Sequence, residues 1–177
     1  YDSQPMNIET IQVVPFARGI VADYLNTGID VQYDLEFFDT PAVQECAIQG
    51  DERLLRRAVR NLIDNAMRHN GEGCKIALSL DVEPSSMLAL TVADNGRGCD
   101  TSRIGALMAQ ASTPDASYDA HGLGLTLVSR ISIMHGGYVS FASEPGRGFT
   151  ATMRIPTAMP QSEPPRREKR ESQANVR

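Results

Sequence analysis

The sequence predicts an α+β domain, a two-layer α/β sandwich whose mixed β-sheet is covered by three helices on one face. Three observations predict it. Each strong strand candidate alternates an apolar with a polar or small side, so only one face of the sheet is to be buried. Three stretches carry the 3.6-residue apolar period of helices and are inserted among strands and hairpins, unlike the regular alternation of a doubly wound protein. At 177 residues and 41% apolar content, the chain suits one globular domain with a sizeable core.

Met6 to Gln12 reads as a short edge strand. Pro15 stands where a helix can begin, Phe16, Ile20, Val21, Tyr24 and Leu25 form its stripe, and Gly28 is its expected C-terminal cap. Val31 to Phe37 alternates strictly, a half-buried strand. Val43 to Ile48 is a weaker one, broken by Gly50-Asp51, where Asp51 can cap the next helix.

That helix, ending at Asn70, has two incompatible faces. Leu54, Leu55, Ala58, Val59, Leu62, Ile63, Ala66 and Met67 make a buried stripe. Arg57, Asn61, Asn65 and Arg68 make a second surface of basic side chains and carboxamides. Carboxamides are indifferent helix formers, so two of them in mid-helix point to use by something outside it. An Asn oxygen can coordinate a hard cation such as Mg²⁺, and Arg neutralises phosphate.

After the Asn70 to Gly73 turn, Ile76, Leu78, Leu80 and Val82 alternate with Lys75, Ala77, Ser79 and Asp81. Glu83-Pro84-Ser85-Ser86 reverses the chain, and Leu88, Leu90, Val92 and Asp94 alternate in turn. Asn95 to Ala120 is rich in Gly, Ser, Ala and Asp, with one or two helical turns expected around Ser102 to Ala109. Such a segment is read as a lid that orders on ligand binding. Gly122 to His135 is a helix, ended by Gly136-Gly137, and Tyr138 to Ser143 with Phe149 to Ile155 form a hairpin. The domain is therefore expected over residues 1–156. The Pro- and charge-rich residues 157–177 are expected to be a disordered tail.

The net charge is −5, and the tail, with five basic and three acidic residues, leaves the body more acidic still, which argues against a nucleic-acid binder. Three cysteines without metal-ligand spacing suit a reducing compartment. No apolar run reaches membrane-spanning length, and the chain starts at Tyr1 without a Met, as expected of a fragment.

Asp94-Asn95-Gly96-Arg97-Gly98 follows a strand whose period turns Asp94 to the core side. A carboxylate there needs a donor. Two stand equally open: the exocyclic amine of an adenine, or the backbone amides of its own glycine turn. His121-Gly122-Leu123-Gly124-Leu125 opens a helix, where glycines let the backbone approach a polyphosphate and the free N–H groups favour the anion. Gly146-Arg147-Gly148 alone would be a plain hairpin turn. His135, at a helix end, is expected to be a C-terminal cap.

In this order, an Asn-bearing helix, Asp-x-Gly-x-Gly, a loose lid, Gly-x-Gly and a glycine hairpin, the set from about Asn7 to Pro156 resembles the ATP-binding catalytic domain of two-component sensor histidine kinases. The wider group is the gyrase, chaperone and mismatch-repair ATPase superfamily, with its Bergerat fold. The resemblance implies that Asn65 ligates Mg²⁺, with Asn61 and Arg68 on the phosphate side and His69 near the adenine. It implies that Asp94, Gly96 and Gly98 read the base. His121, Gly122, Leu123, Gly124 and Leu125 would face the phosphates, and Gly146 to Thr150 would be the last glycine box.

It further implies a domain that binds ATP and ADP and gives the γ-phosphoryl to a His on a separate dimerisation and phosphoacceptor domain, with a response regulator downstream. The setting is the cytoplasmic side of a membrane-anchored sensor. Two departures stand out. Asn61 occupies the place of the superfamily's water-activating Glu and cannot act as a base. Leu107-Met108 replace the lid's usual aromatics, which leaves open a regulatory module of the same fold, such as an anti-sigma factor or a degenerate kinase.

Overall fold

The computed structural model describes residues 5–28, 32–111 and 123–158, with the side chains of residues 101, 107, 108, 110, 111 and 123 left aside. In chain order the elements are β1 (Glu9–Gln12), α1 (Val13–Leu25), β2 (Asp34–Asp39), β3 (Ala47–Gly50), α2 (Glu52–His69), β4 (Lys75–Glu83) and β5 (Met87–Asp94). They continue with α3 (Thr101–Ala111), α4 (Leu123–Met134), β6 (Tyr138–Ser143) and β7 (Phe149–Pro156). The main sheet has five strands in the order β2-β4-β5-β7-β6. It is mixed: β2 runs parallel to β4, and every other pair is antiparallel.

One face of this sheet makes the core. Ile76, Leu78 and Leu80 of β4, Leu88, Leu90 and Val92 of β5, and Ala151, Met153 and Ile155 of β7 are all buried. They meet Phe16, Ile20 and Tyr24 of α1, Leu55, Val59, Leu62 and Ile63 of α2, and Val128 and Ile131 of α4. On the other face Phe38 and Tyr138 are each 52% exposed, which is the one-sided burial expected from the alternation. Tyr24 gives its hydroxyl proton to Asp64, tying α1 to α2 by a polar bond beside the apolar one.

The structure corrects four expectations. The described residues hold four α-helices, not three: the weak turns expected near Ser102 are the eleven residues of α3, placed against α4 and β6. The strand expected over 31–37 starts at Asp34 and runs to Asp39, because its parallel partner begins at Lys75 and pairs first with Asp34. Residues 43–48 are not one strand. Pro41, with its fixed φ and missing N–H, starts a 3-10 turn over Pro41–Val43 that buries Val43, and pairing resumes only at Ala47, opposite Gln12. The first helix starts at Val13, two residues before Pro15, so the proline lies within its first turn.

Among the described residues β1 joins only β3, in a separate two-stranded sheet. Thr157 and Ala158 still donate to the Ser86 and Ala47 carbonyls, and the rest of the expected tail lies outside the described residues. Among the described residues no helix is long and apolar enough to cross a membrane.

Candidate functional site

The site forms where the end of α2, the end of β5 and the β6–β7 turn converge. Asp51 starts α2 by accepting the Leu54 amide at 3.1 Å, and eighteen residues of helix then carry Asn65 and His69 to its far end. Asp94 is the last residue of β5, opposite Ile76 in register and one period beyond the buried Val92. Its Oδ1 accepts two backbone amides, Gly96 at 2.9 Å and Phe149 at 3.3 Å. The glycine-turn reading of Asp94 is thus realised on one oxygen, and Asp94 still lines a cavity.

The β6–β7 turn clasps the loop after Asp94. The Gly146 amide donates to the Arg97 carbonyl at 2.7 Å, and the Ser143 hydroxyl accepts the Cys99 amide at 2.8 Å while donating to the Gly148 carbonyl at 2.6 Å. Gly148 has φ +86°, and a Cβ there would lie 1.8 Å from the Asp94 carbonyl oxygen, so only glycine lets the turn close on the strand end. Behind the loop, burial and then the Asp94 charge push the Cys74 thiol up, which keeps it a neutral donor 3.3 Å from Asn95 Oδ1.

The cavity volume is about 370 Å³, within the range of small-molecule sites. Of the residues expected from the sequence, Asn65, His69, Asp94, Gly98 and Leu125 line it together. Asn61 is not among them; its Nδ2 donates to the Arg57 carbonyl at 2.8 Å, and its Oδ1 would lie 3.3 Å from a Cβ on Gly124. Gly96 packs on the other side of the loop, Thr150 pairs with Ala93 and Ala142 in the sheet, and Arg68 is exposed and outside the lining.

His121 and Gly122 lie outside the described residues, as do the lid over 112–120 and the side chains of Leu107, Met108 and Leu123. Six lining residues were not singled out beforehand: Asn70, Arg97, Cys99, Asp100, Arg103 and Phe149. Asn70 was legible only as the start of a turn, although it continues the carboxamides of Asn61 and Asn65. Phe149 lies inside the glycine box but has no polar atom to mark it.

The donor set suits a nucleotide. Two carboxylates, two carboxamides, a histidine and two arginines surround partly apolar walls, as a ligand with a polar base edge and an anionic tail requires. Among the described residues no group of three or more His, Cys, Asp or Glu could hold a metal. Mg²⁺ commonly takes only one or two protein oxygens with the rest from phosphate and water, so it needs no such group.

Residues 50–159 match the family described as histidine kinase-, DNA gyrase B-, and HSP90-like ATPase. Sensor protein BasS of Salmonella typhimurium is 36% identical over 115 residues, covering 65% of this chain and 32% of that protein. Sensor histidine kinase YvrG of Bacillus subtilis is 28% identical over 156 residues, covering 86% and 26%. The chain thus spans about a third or less of these relatives' length.

In fold it is similar to the nucleotide-free catalytic domain of histidine kinase ThkA, with a TM-score of 0.71 at 18% identity over 85% of this chain and 98% of that one. Full-length ShkA in complex with AMPPNP gives a TM-score of 0.73 at 21% identity, over 89% of this chain and 33% of that one. The matched family and the matched sensor kinases agree with the cavity at the end of α2: the chain belongs to the histidine kinase-, DNA gyrase B- and HSP90-like ATPase family, as an ATP-binding catalytic domain of the sensor histidine kinase type.

Proposed function

We propose that this domain holds Mg-ATP in the cavity between α2 and the Asp94 loop. There it would present the γ-phosphoryl to a histidine on a separate dimerisation and phosphoacceptor domain of the same parent protein, from which a response regulator is served. The observation that carries the reading is Asp94: its Oδ1 is held by two amides at the edge of a cavity whose other side carries Asn65 and His69. Asp94 accepts from the adenine amine through Oδ2, and His69, Leu125 and Phe149 flank the base. Asn65 offers its side-chain oxygen to Mg²⁺, while Asn61, Arg68 and the Gly124 backbone flank the phosphates. Bound Mg²⁺ supplies charge neutralisation on the phosphates.

Asn61 has no proton to take or give at neutral pH, so water is not activated and the phosphoryl is kept for transfer. We assign the domain to the cytoplasmic side of a membrane-anchored sensor, where ATP is available. A fluorescent ATP analogue titrated in Mg²⁺ and in EDTA tests the first half: binding in the micromolar range or weaker that needs Mg²⁺ is expected. No binding in either would favour a regulatory module of the same fold. Transfer of labelled phosphate to the parent's phosphoacceptor domain tests the second half.

A further inference from the structure

Asn70 ends α2 and reaches across to the loop after β5. Its Nδ2 donates to the Ala66 carbonyl at 2.8 Å, and its Oδ1 accepts the Arg97 amide at 3.2 Å. The carboxamide orientation is fixed, because a carbonyl can only accept and an amide N–H only donate. One side chain therefore joins the last turn of the helix bearing Asn65 and His69 to the loop bearing Asp94.

Gly96 makes room for this latch. A Cβ at residue 96 would lie 1.7 Å from Asn70 Oδ1 and 2.1 Å from its Cγ. Gly96 is not one of the positive-φ glycines, so what excludes a side chain there is the Asn70 carboxamide, not backbone strain. The Gly96 amide is also one of the two donors that hold Asp94 Oδ1. Any displacement of residue 96 is thus passed to the carboxylate. On the other flank Asn95 Oδ1 accepts the Lys75 amide at 2.9 Å, so the loop is pinned on both sides of Gly96. Asn70 and Arg97 line both the main cavity and a more open one of about 380 Å³ beside it, which makes the latch a shared wall.

We infer that Asn70 is a positioning residue for the nucleotide. Through Gly96 and Arg97 it sets the Asp94 carboxylate against the Asn65–His69 end of α2, and so sets how sharply the base is read. This rests on the cavity being the ATP site. Asn70 touches no reacting atom in this role.

The test is a double-mutant cycle in the full chain: Asn70→Ala, Gly96→Ala and the two together. ATP and GTP each compete against a fluorescent ATP analogue in Mg²⁺, with the nucleotide-free melting temperature measured alongside. Each single change is expected to weaken ATP about three- to tenfold, one hydrogen bond's worth, and to lower the ATP-to-GTP preference. The double variant should be no weaker than the worse single one, because the added methyl no longer meets the carboxamide. Should Asn70→Ala melt below the assay temperature, Asn70→Ser, short enough to clear a Cβ at residue 96, replaces it with the same expectation. Additive losses, or a lower melting temperature with an unchanged ATP-to-GTP ratio, would overturn the inference. Wild type that binds ATP while Asn70→Ala binds it equally well and as selectively overturns this inference alone. Wild type that binds no ATP removes the ATP reading with it.

Discussion

His135 Nε2 accepts the Asp51 backbone amide at 3.0 Å, and its Nδ1 stands 2.7 Å from the Ile131 carbonyl. Since the carbonyl can only accept, Nδ1 carries the proton and the ring is neutral, with both nitrogens used. The ring does bond the last turn of α4, as expected of a cap, but it also fastens that helix to the start of α2. A Cβ on Gly50 would come within 2.7 Å of the ring, so the fit is close on that side too.

His135→Ala should therefore destabilise the empty protein. It leaves a buried amide without its acceptor, a loss of about 1–3 kcal/mol before any cavity term. Urea unfolding of the two proteins measures it, and an unchanged midpoint with an unchanged slope would show that the bond contributes nothing net.

Asp51 should give the domain an acid-sensitive component. Burial acts to raise its carboxyl, but the Asn7 and Leu54 amides and the Arg53 charge together outweigh it and hold the group below its ordinary value. A carboxylate lowered on folding stabilises fully above the unfolded value, about 3.9, and that contribution is lost as pH falls through the folded value. Asp51→Asn should thus be less stable than wild type near pH 7, with the gap closing below about pH 4. A gap that stays constant across that window would mean the charge is not what stabilises.

Asp94→Asn separates the two roles of one carboxylate. The Asn oxygen can keep the Gly96 and Phe149 amides, so the empty-state melting temperature should move little. The NH₂ then faces the ligand in place of Oδ2, and the lost charge-assisted bond, about 1.5–3 kcal/mol, should weaken ATP some ten- to hundredfold. GTP carries an acceptor where ATP carries its amine, so discrimination against GTP should fall. An unchanged ratio of the two affinities would remove Asp94 from base recognition.

Asn65→Ala should abolish the Mg²⁺-dependent part of nucleotide binding and spare the part that survives in EDTA. Its side chain is only partly buried on α2, and Ala is the better helix former, so the fold should hold. Retained Mg²⁺ dependence would place the metal's protein ligand elsewhere.

The sequence by itself determined the parts that depend on local period and local chemistry. The apolar stripe of α2 from Leu55 to Ala66, the alternation of β4, β5 and β7, and the Asp51 cap were all legible, because helix and strand periods are written in neighbouring residues. The order of the motifs was legible too, and with it the family. Tertiary structure decided what depends on a partner distant in sequence. β2 starts at Asp34 because β4 starts at Lys75, and β3 waits for Gln12. Asn70 became part of the site because the loop after β5 comes to it, 27 residues further on. Arg68, on the same helix, is exposed and lies outside the lining that holds Asn65 and His69. A side chain's neighbours across a fold are set by which elements pack together, and that is settled by the buried core as a whole.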